Sequence, residues 1–482
     1  MKKFDLNIEK VLEHWTIPHA LREIIANALD ESNLTNTKEP LIFKDEDNKW
    51  HIKDFGRGLK YEHLTQNENM EKTDNPDKVI GKFGVGLKDA MATFDRRNVK
   101  ILIQSKYSDI TIKKLSKGDF DDVVTLHAIV NEPTHPNMVG TDFMFTGLKD
   151  DDIGKAKDFF LLYSGEKTVE KTKYGELIEN KKNRSRIYVN GICVAEEDNL
   201  LFSYNITSTT KKLRQSLNRE RTNVGRSAYT DRVKSILLEC NSPTFAEKLV
   251  DDLQRIQTGN YHDELQWIDV QLHACKILSS QEKVMFLTAY DLMDGGKYLS
   301  YAKEEGIRII TVPDSLANKL ETSKDLKGNN FRNLETYALE WNEQFEFDIV
   351  NVIKLTTKER EIFNYKDTIV SWFPKKINPV NDIVISETMR PDNYTGSDAL
   401  GLWEPFTKRI IIKRSQLKNV QSFAGTLVHE LVHAHTNTDD NTIEFESELT
   451  EMLGRLSTFI LETSKPEKSK SILRRLINKQ KV

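Results

Sequence analysis

Two histidines four positions apart on an apolar-striped segment, His429 and His433, constrain this chain more tightly than any other feature. From Phe423 to His435 the apolar residues Phe423, Leu427, Leu431 and Ala434 recur at helical spacing. Positions four apart on a helix share a face, with Cβ atoms about 5–6 Å apart. Two imidazoles so placed suit one zinc ion, whose bonds to nitrogen are about 2.0–2.1 Å long. Glu430 directly follows the first histidine, where a carboxylate can act as general base toward a metal-held water. The plainer account is an amphipathic helix whose histidines bond to carbonyls or water. A long one-sided helix following the strand-like run Arg409 to Lys413 favours the metal.

A hydrolytic zinc needs a third protein ligand and an open fourth position. A second helix is expected from Thr442 to Thr463, burying Phe445, Leu449, Met452, Leu453, Leu456, Phe459 and Ile460. Glu446, within Phe445-Glu446-Ser447-Glu448-Leu449, is the expected third ligand, with Glu448 as the alternative. His435 points away from the pair unless the first helix ends there. The arrangement resembles the gluzincin metalloproteases, whose H-E-x-x-H motif is completed by a Glu on a following helix. It departs from that pattern in the shorter gap after His433.

At 482 residues the chain exceeds one ordinary core, so several domains are expected. A net charge of −4 argues against a protein built mainly to coat nucleic acid. Cys193, Cys240 and Cys275 are odd in number and far apart, which implies reduced thiols and no disulfide framework. Met1-Lys2-Lys3-Phe4-Asp5 is followed by no apolar core of a signal peptide, and no run of about 18 apolar residues suggests a membrane span. The expectation is a cytoplasmic protein.

The amino-terminal third carries three motifs in order. Glu23, Asn27 and Asp30 lie at i, i+4 and i+7 of a helix preceded by Pro18, a polar face on an otherwise apolar element. A carboxylate and an amide so placed suit water activation and Mg²⁺ coordination beside a triphosphate. Asp54-Phe55-Gly56-Arg57-Gly58 follows the strand-like Trp50-His51-Ile52. Gly81-Lys82-Phe83-Gly84-Val85-Gly86-Leu87-Lys88 then leads into a helix from Asp89 to Phe94, where glycines and a helix start favour phosphate. Each Gly-rich stretch alone also fits a plain turn.

Together the three motifs resemble the GHKL ATPases: gyrase B subunits, the large heat-shock chaperone, sensor histidine kinases and MutL. The resemblance covers about residues 1–230. It implies that Glu23 is the general base, that Asn27 binds Mg²⁺, and that Asp54 recognises the adenine amino group in a pocket shaped by Gly56 and Gly58. It implies further that Gly81, Gly84 and Gly86 wrap the phosphates, that Lys82 or Lys88 pairs with them, and that Tyr61 to Ile80 is a mobile lid. Kinases of this group typically lack the Glu at position 23, so ATP hydrolysis is expected over histidine phosphorylation.

Strands at Ile101–Ile103, Ile110–Ile112 and Val123–Leu126 would complete the sandwich, and Ile187 to Ile192 reads as a hairpin around Asn190-Gly191. That hairpin resembles the start of the transducer region of gyrase and MutL, in which Arg219 or Arg221 is a candidate γ-phosphate sensor. Val284–Leu287, a helix near Lys297–Glu304 and Ile307–Val312 suggest a small parallel α/β module. Leu320 to Asn333 reads as a linker, and Lys465 to Lys481 as a basic end.

The expected architecture is multidomain α+β. It comprises a GHKL α/β sandwich at 1–150, a transducer-like region at 151–240, a helical and small α/β middle at 241–340, and a mostly helical zincin-like domain at 341–482. The expected function is an intracellular zinc peptidase under ATP control, with ATP, Mg²⁺ and Zn²⁺ as cofactors and a protein as substrate. Dimerisation through the ATPase region is implied by the GHKL resemblance. The competing reading is a GHKL conformational ATPase or clamp, acting on DNA or a client protein, with a purely structural zinc.

Overall fold

The computed structural model describes residues 2–6, 12–65, 70–75, 79–81, 85–117, 120–180, 184–217, 224–373, 380–391 and 397–463. Lys82, Gly84, Arg219, Arg221 and the basic end lie outside them. The chain is a mixed α/β protein of two compact units. The first comprises Met1–Glu282 and Val312–Phe331, the second Lys283–Thr311 and Arg332–Val482. Residues 241–340 are therefore divided between the two. Among the described residues no helix is long and apolar enough to cross a membrane.

The first unit holds a seven-stranded sheet of β1 (Lys2–Asp5), β2 (Leu41–Lys44), β3 (Trp50–Lys53), β4 (Lys100–Ser105), β5 (Asp109–Lys117), β6 (Phe120–Asn131) and β7 (Thr141–Thr146). Their order across it is β1-β6-β5-β4-β7-β3-β2, and every pairing is antiparallel. One face is covered by α1 (Ile17–Thr35) and α3 (Gly86–Arg96), with the short α2 (Met70–Asp74) between them in sequence. α1 starts at Thr16 with Pro18 in its first turn and stops where Asn36 turns left-handed (φ 53°). Its apolar residues Leu21, Ile24, Ile25 and Ala28 are buried, as are Met91 and Phe94 of α3 and Ile52, Ile103 and Phe145 of the sheet. Phe94 and Phe145 meet with ring centroids 5.1 Å apart.

A second sheet of this unit holds β8 (Thr168–Thr172), β9 (Gly175–Glu179), β10 (Ser185–Val189), β11 (Ile192–Glu197) and β12 (Phe202–Ile206), in the order β11-β10-β12-β9-β8. The expected hairpin is β10–β11, its turn made by Asn190 (φ 48°) and Gly191 (φ 83°). Two positive φ values in a row are what a tight two-residue hairpin turn requires. Cys240 and Cys275 are buried free thiols, and Cys193 is a half-buried one.

In the second unit β13 (Val284–Leu287) and β14 (Arg308–Thr311) form the expected parallel pair, joined through a helix at Gly296–Glu304. A four-stranded sheet follows: β15 (Ile349–Val350), β16 (Asp382–Ser386), β17 (Gly401–Glu404) and β18 (Arg409–Lys413), ordered β15-β16-β18-β17. Residues 341–482 are thus less purely helical than the sequence suggested, because β15, β16 and β17 are too short for a clear periodic signal. Ile383, Ile385, Ile410 and Ile412 share one core with Phe423, Leu427 and Leu431 of α4 (Val420–Thr436). The last helix, α5 (Ile443–Thr463), buries only Phe445 and Met452. Leu453, Phe459 and Ile460, expected inside, are 59–65% exposed, so the amphipathic stripe is covered only over the opening turns.

Candidate functional site

The second unit brings three metal-ligating side chains together. Asn419 caps the start of α4 by accepting from the Ser422 N–H at 2.8 Å. The helix ends at Asn437, whose left-handed backbone (φ 53°) closes on the His433 carbonyl at 2.8 Å. The chain then doubles back: the Thr438 carbonyl accepts from His433 Nδ1 at 2.7 Å, and Asp440 arrives beside the histidine pair. With its Nδ1 proton given to that carbonyl, His433 presents the lone pair of Nε2 to the opposite side.

His429 Nε2, His433 Nε2 and Asp440 Oδ1 form a triangle with sides of 3.2, 3.2 and 3.4 Å. Tetrahedral zinc with bonds of about 2.1 Å keeps neighbouring ligand atoms about 3.4 Å apart. The triangle therefore already has the dimensions of one zinc site. Phe445 closes its inner side, with ring centroids 4.9 Å from His429 and 4.4 Å from His433.

The third donor in this group is Asp440, which the sequence reading did not single out. Glu446 is exposed on α5, and Glu448 instead faces His435 at 3.6 Å. The sequence points to the second helix for the third ligand, whereas the turn after Asn437 delivers one sooner. Asn437-Thr438-Asp439-Asp440 is a helix-stop and turn sequence, a signal for the end of the helix though not for where Asp440 comes to lie.

Glu430 is 6% exposed beneath edge strand β17. A Cβ at Gly401 would lie 2.5 Å from Glu430 Oε1, so this glycine lets the strand rest on the carboxyl. Burial, helped by the charge of Asp440, lifts the Glu430 carboxyl to about 8, while the Trp403 N–H donates to it and pulls the other way. The Asp440 contribution places Glu430 within electrostatic reach of the histidine–aspartate group.

The first unit contains a cavity of about 450 Å³ lined by Asn27, Asp54, Gly58, Lys60, Lys72 and Lys106, among others. Asp54 is buried, and its Oδ1 accepts the N–H groups of Gly56 (2.9 Å) and Thr141 (3.2 Å). Burial, with a smaller push from the Glu31 charge, raises its carboxyl to about 6. Gly140 (φ +79°) must be glycine, since a Cβ would lie 2.0 Å from the Asp54 carbonyl oxygen. A Cβ at Gly56 would meet the Glu31 side chain, 2.3 Å from its Cγ.

Other predicted residues lie outside the cavity lining, on or against the helices that carry it. Glu23 is buried, is held by Arg22 at 2.9 Å, and abuts Gly86 at the start of α3. Asp30 is fully buried and accepts from the N–H groups of Ile80 (2.5 Å) and Gly81 (2.8 Å). The first motif is thereby bonded to the opening of the third. Lys88 is buried on α3. Lys72, which the sequence reading passed over, donates to Asn27 Oδ1 at 3.0 Å and to Asp30 Oδ2 at 2.7 Å.

A family model described as the Mycoplasma pneumoniae MPN635 N-terminal domain matches residues 151–243, the region of the second sheet. One Mycoplasma pneumoniae protein is 40% identical over 242 residues, spanning 49% of this chain and 97% of its own. Another is 27% identical over 339 residues, spanning 65% of this chain and 93% of its own. Both are described as uncharacterized proteins. The chain belongs to the family of the first of these Mycoplasma proteins.

The geometry separates the two acidic candidates. Asp440→Ala is expected to weaken zinc binding at least about tenfold in a chelator competition, whereas Glu446→Ala stays within about twofold of the parent.

Proposed function

We propose that this chain is a zinc-dependent peptidase under nucleotide control, its second unit a zincin-like protease and its first a GHKL-type ATP-binding module. The carrying observation is the His429–His433–Asp440 triangle, sized for one zinc, with Glu430 buried on the same helix. Zinc bound by these three side chains would polarise a peptide carbonyl and make water acidic. Glu430, favoured as a carboxylate once a cation sits beside it, would accept a proton from the water and pass it to the departing amine nitrogen. β17, an edge strand lying on Glu430, offers an extended peptide a main-chain partner beside the site. A structural zinc takes four protein ligands. Among the described residues the group has three, which favours the hydrolytic reading over a purely structural ion.

For the first unit the cavity supports ATP with Mg²⁺. Asp54 would accept from the adenine amino group, Asn27 would offer its carbonyl oxygen to Mg²⁺, and Glu23 would serve as general base. The start of α3, with Gly86 and Lys88, would face the phosphates. Lys60 and Lys106 add positive charge at the cavity wall. Control of the protease by nucleotide is proposed because both sites share one chain. The substrate is a protein, and pairing of two ATP-binding units remains part of the proposal.

Glu430→Gln is expected to keep its zinc and lose proteolysis. Mapping new peptide ends in cells carrying wild type or the variant checks this, and identical sets of ends would refute the protease reading. Nucleotide affinity should depend on pH through Asp54. Its acceptor form predominates above about 6 and is lost as the pH falls through that value. Affinity should therefore drop about tenfold between about pH 7 and about pH 5, and a calorimetric titration of Asp54→Asn should lose that dependence.

A further inference from the structure

The side chain that meets both Asn27 and Asp30 is itself a cation. Asp30 is 0% exposed, and a carboxylate so placed needs compensation for its lost hydration. It receives the Ile80 and Gly81 N–H groups and, at 2.7 Å, the Lys72 ammonium. The same ammonium lies 3.0 Å from Asn27 Oδ1. An amide oxygen next to a carboxylate oxygen is a hard donor pair, the kind that Mg²⁺ takes. An ammonium has three donors, no acceptor and the same taste in partners. Two cations in contact with one amide oxygen would repel each other inside a poorly screened site.

We propose that Lys72 is a built-in counter-ion of the nucleotide site and that Mg²⁺–nucleotide enters by displacing it from Asn27. This rests on the ATP reading of the cavity and adds how that site is regulated. Lys72 belongs to α2, whose neighbouring Glu71 pairs with Arg57 at 3.0 Å. Arg57 holds Glu71 through two nitrogens, at 3.0 and 3.1 Å, and also holds Glu31, so that second tie is a bidentate, part-exposed bridge. Loss of the Lys72 contact parts α2 from the buried acid of α1. Metal entry and the release of α2 become one event, and each must favour the other to the same degree.

The test compares affinities for Mg²⁺–ATP and for ATP in excess chelator, in wild type and in Lys72→Met. A competitor at the metal position predicts that the ratio of the two affinities rises roughly tenfold in the variant, the size a charge-assisted hydrogen bond carries. An unchanged or lowered ratio overturns the proposal, since a lysine that simply grips phosphate would weaken both. The second measurement uses the wild-type chain alone: amine acylation at Lys72, read by mass spectrometry, should increase several-fold on saturation with Mg²⁺ and a non-hydrolysable ATP analogue. Labelling that stays the same or falls also overturns it, and decides the matter if the variant does not fold. Nucleotide binding with a flat ratio removes the Lys72 role alone. No nucleotide binding by wild type removes the ATP reading and the Lys72 proposal with it.

Discussion

The end of α4 is the constraint on which the zinc geometry depends. A left-handed residue at Asn437 stops the helix within one turn of His433, and the Thr438 carbonyl then bonds the outer nitrogen of that ring. One short segment thus ends the helix, fixes the His433 ring and returns Asp440 to the pair. Had the helix run on, the next carboxylates would have come from α5, where Glu446 is exposed and Glu448 is engaged with His435. A non-glycine left-handed residue is tolerated here because asparagine is among the few side chains that accept this backbone.

A buried carboxylate plays the matching part in the first unit. Asp30 gathers two consecutive backbone N–H groups from residues 80 and 81 and a lysine from α2. Two separated stretches are thereby held against α1, and the cavity opens beside them. Glu23, about two turns earlier on the same helix, meets the start of α3 at Gly86. The polar face of α1 is therefore an internal scaffold, which explains why a helix so apolar elsewhere carries buried acids. Its burial is tolerated because each acid has donors, Glu23 from Arg22 on the same helix and Asp30 from neighbouring segments.

Much of this was legible in the sequence, for identifiable reasons. Long periodic elements such as α1 and α4 announce themselves by spacing, and Asn190-Gly191 announces a hairpin by its backbone requirement. His429, Glu430 and His433 sit within one helix, so their mutual placement follows from helical geometry alone. Asp440 does not: its position depends on a turn, and a turn places side chains through backbone torsions that residue types only restrict. Lys72 was hidden for a related reason, since a five-residue helix has no periodicity to read and its partners lie 42 and 45 positions away. The exposed stripe of α5 shows the opposite error. Helical spacing identifies an apolar face correctly, yet it cannot say how much of that face has a neighbour.

The central claim is that one metal ion is held by two imidazoles of α4 and by the carboxylate that the following turn returns to them. Crystals of the full chain grown with zinc, and measured on both sides of the zinc absorption edge, test it most directly. The account predicts a single strong anomalous peak per chain, bonded to His429 Nε2, His433 Nε2 and an oxygen of Asp440. No peak there, or one bonded to Glu446 with Asp440 turned away, would contradict it.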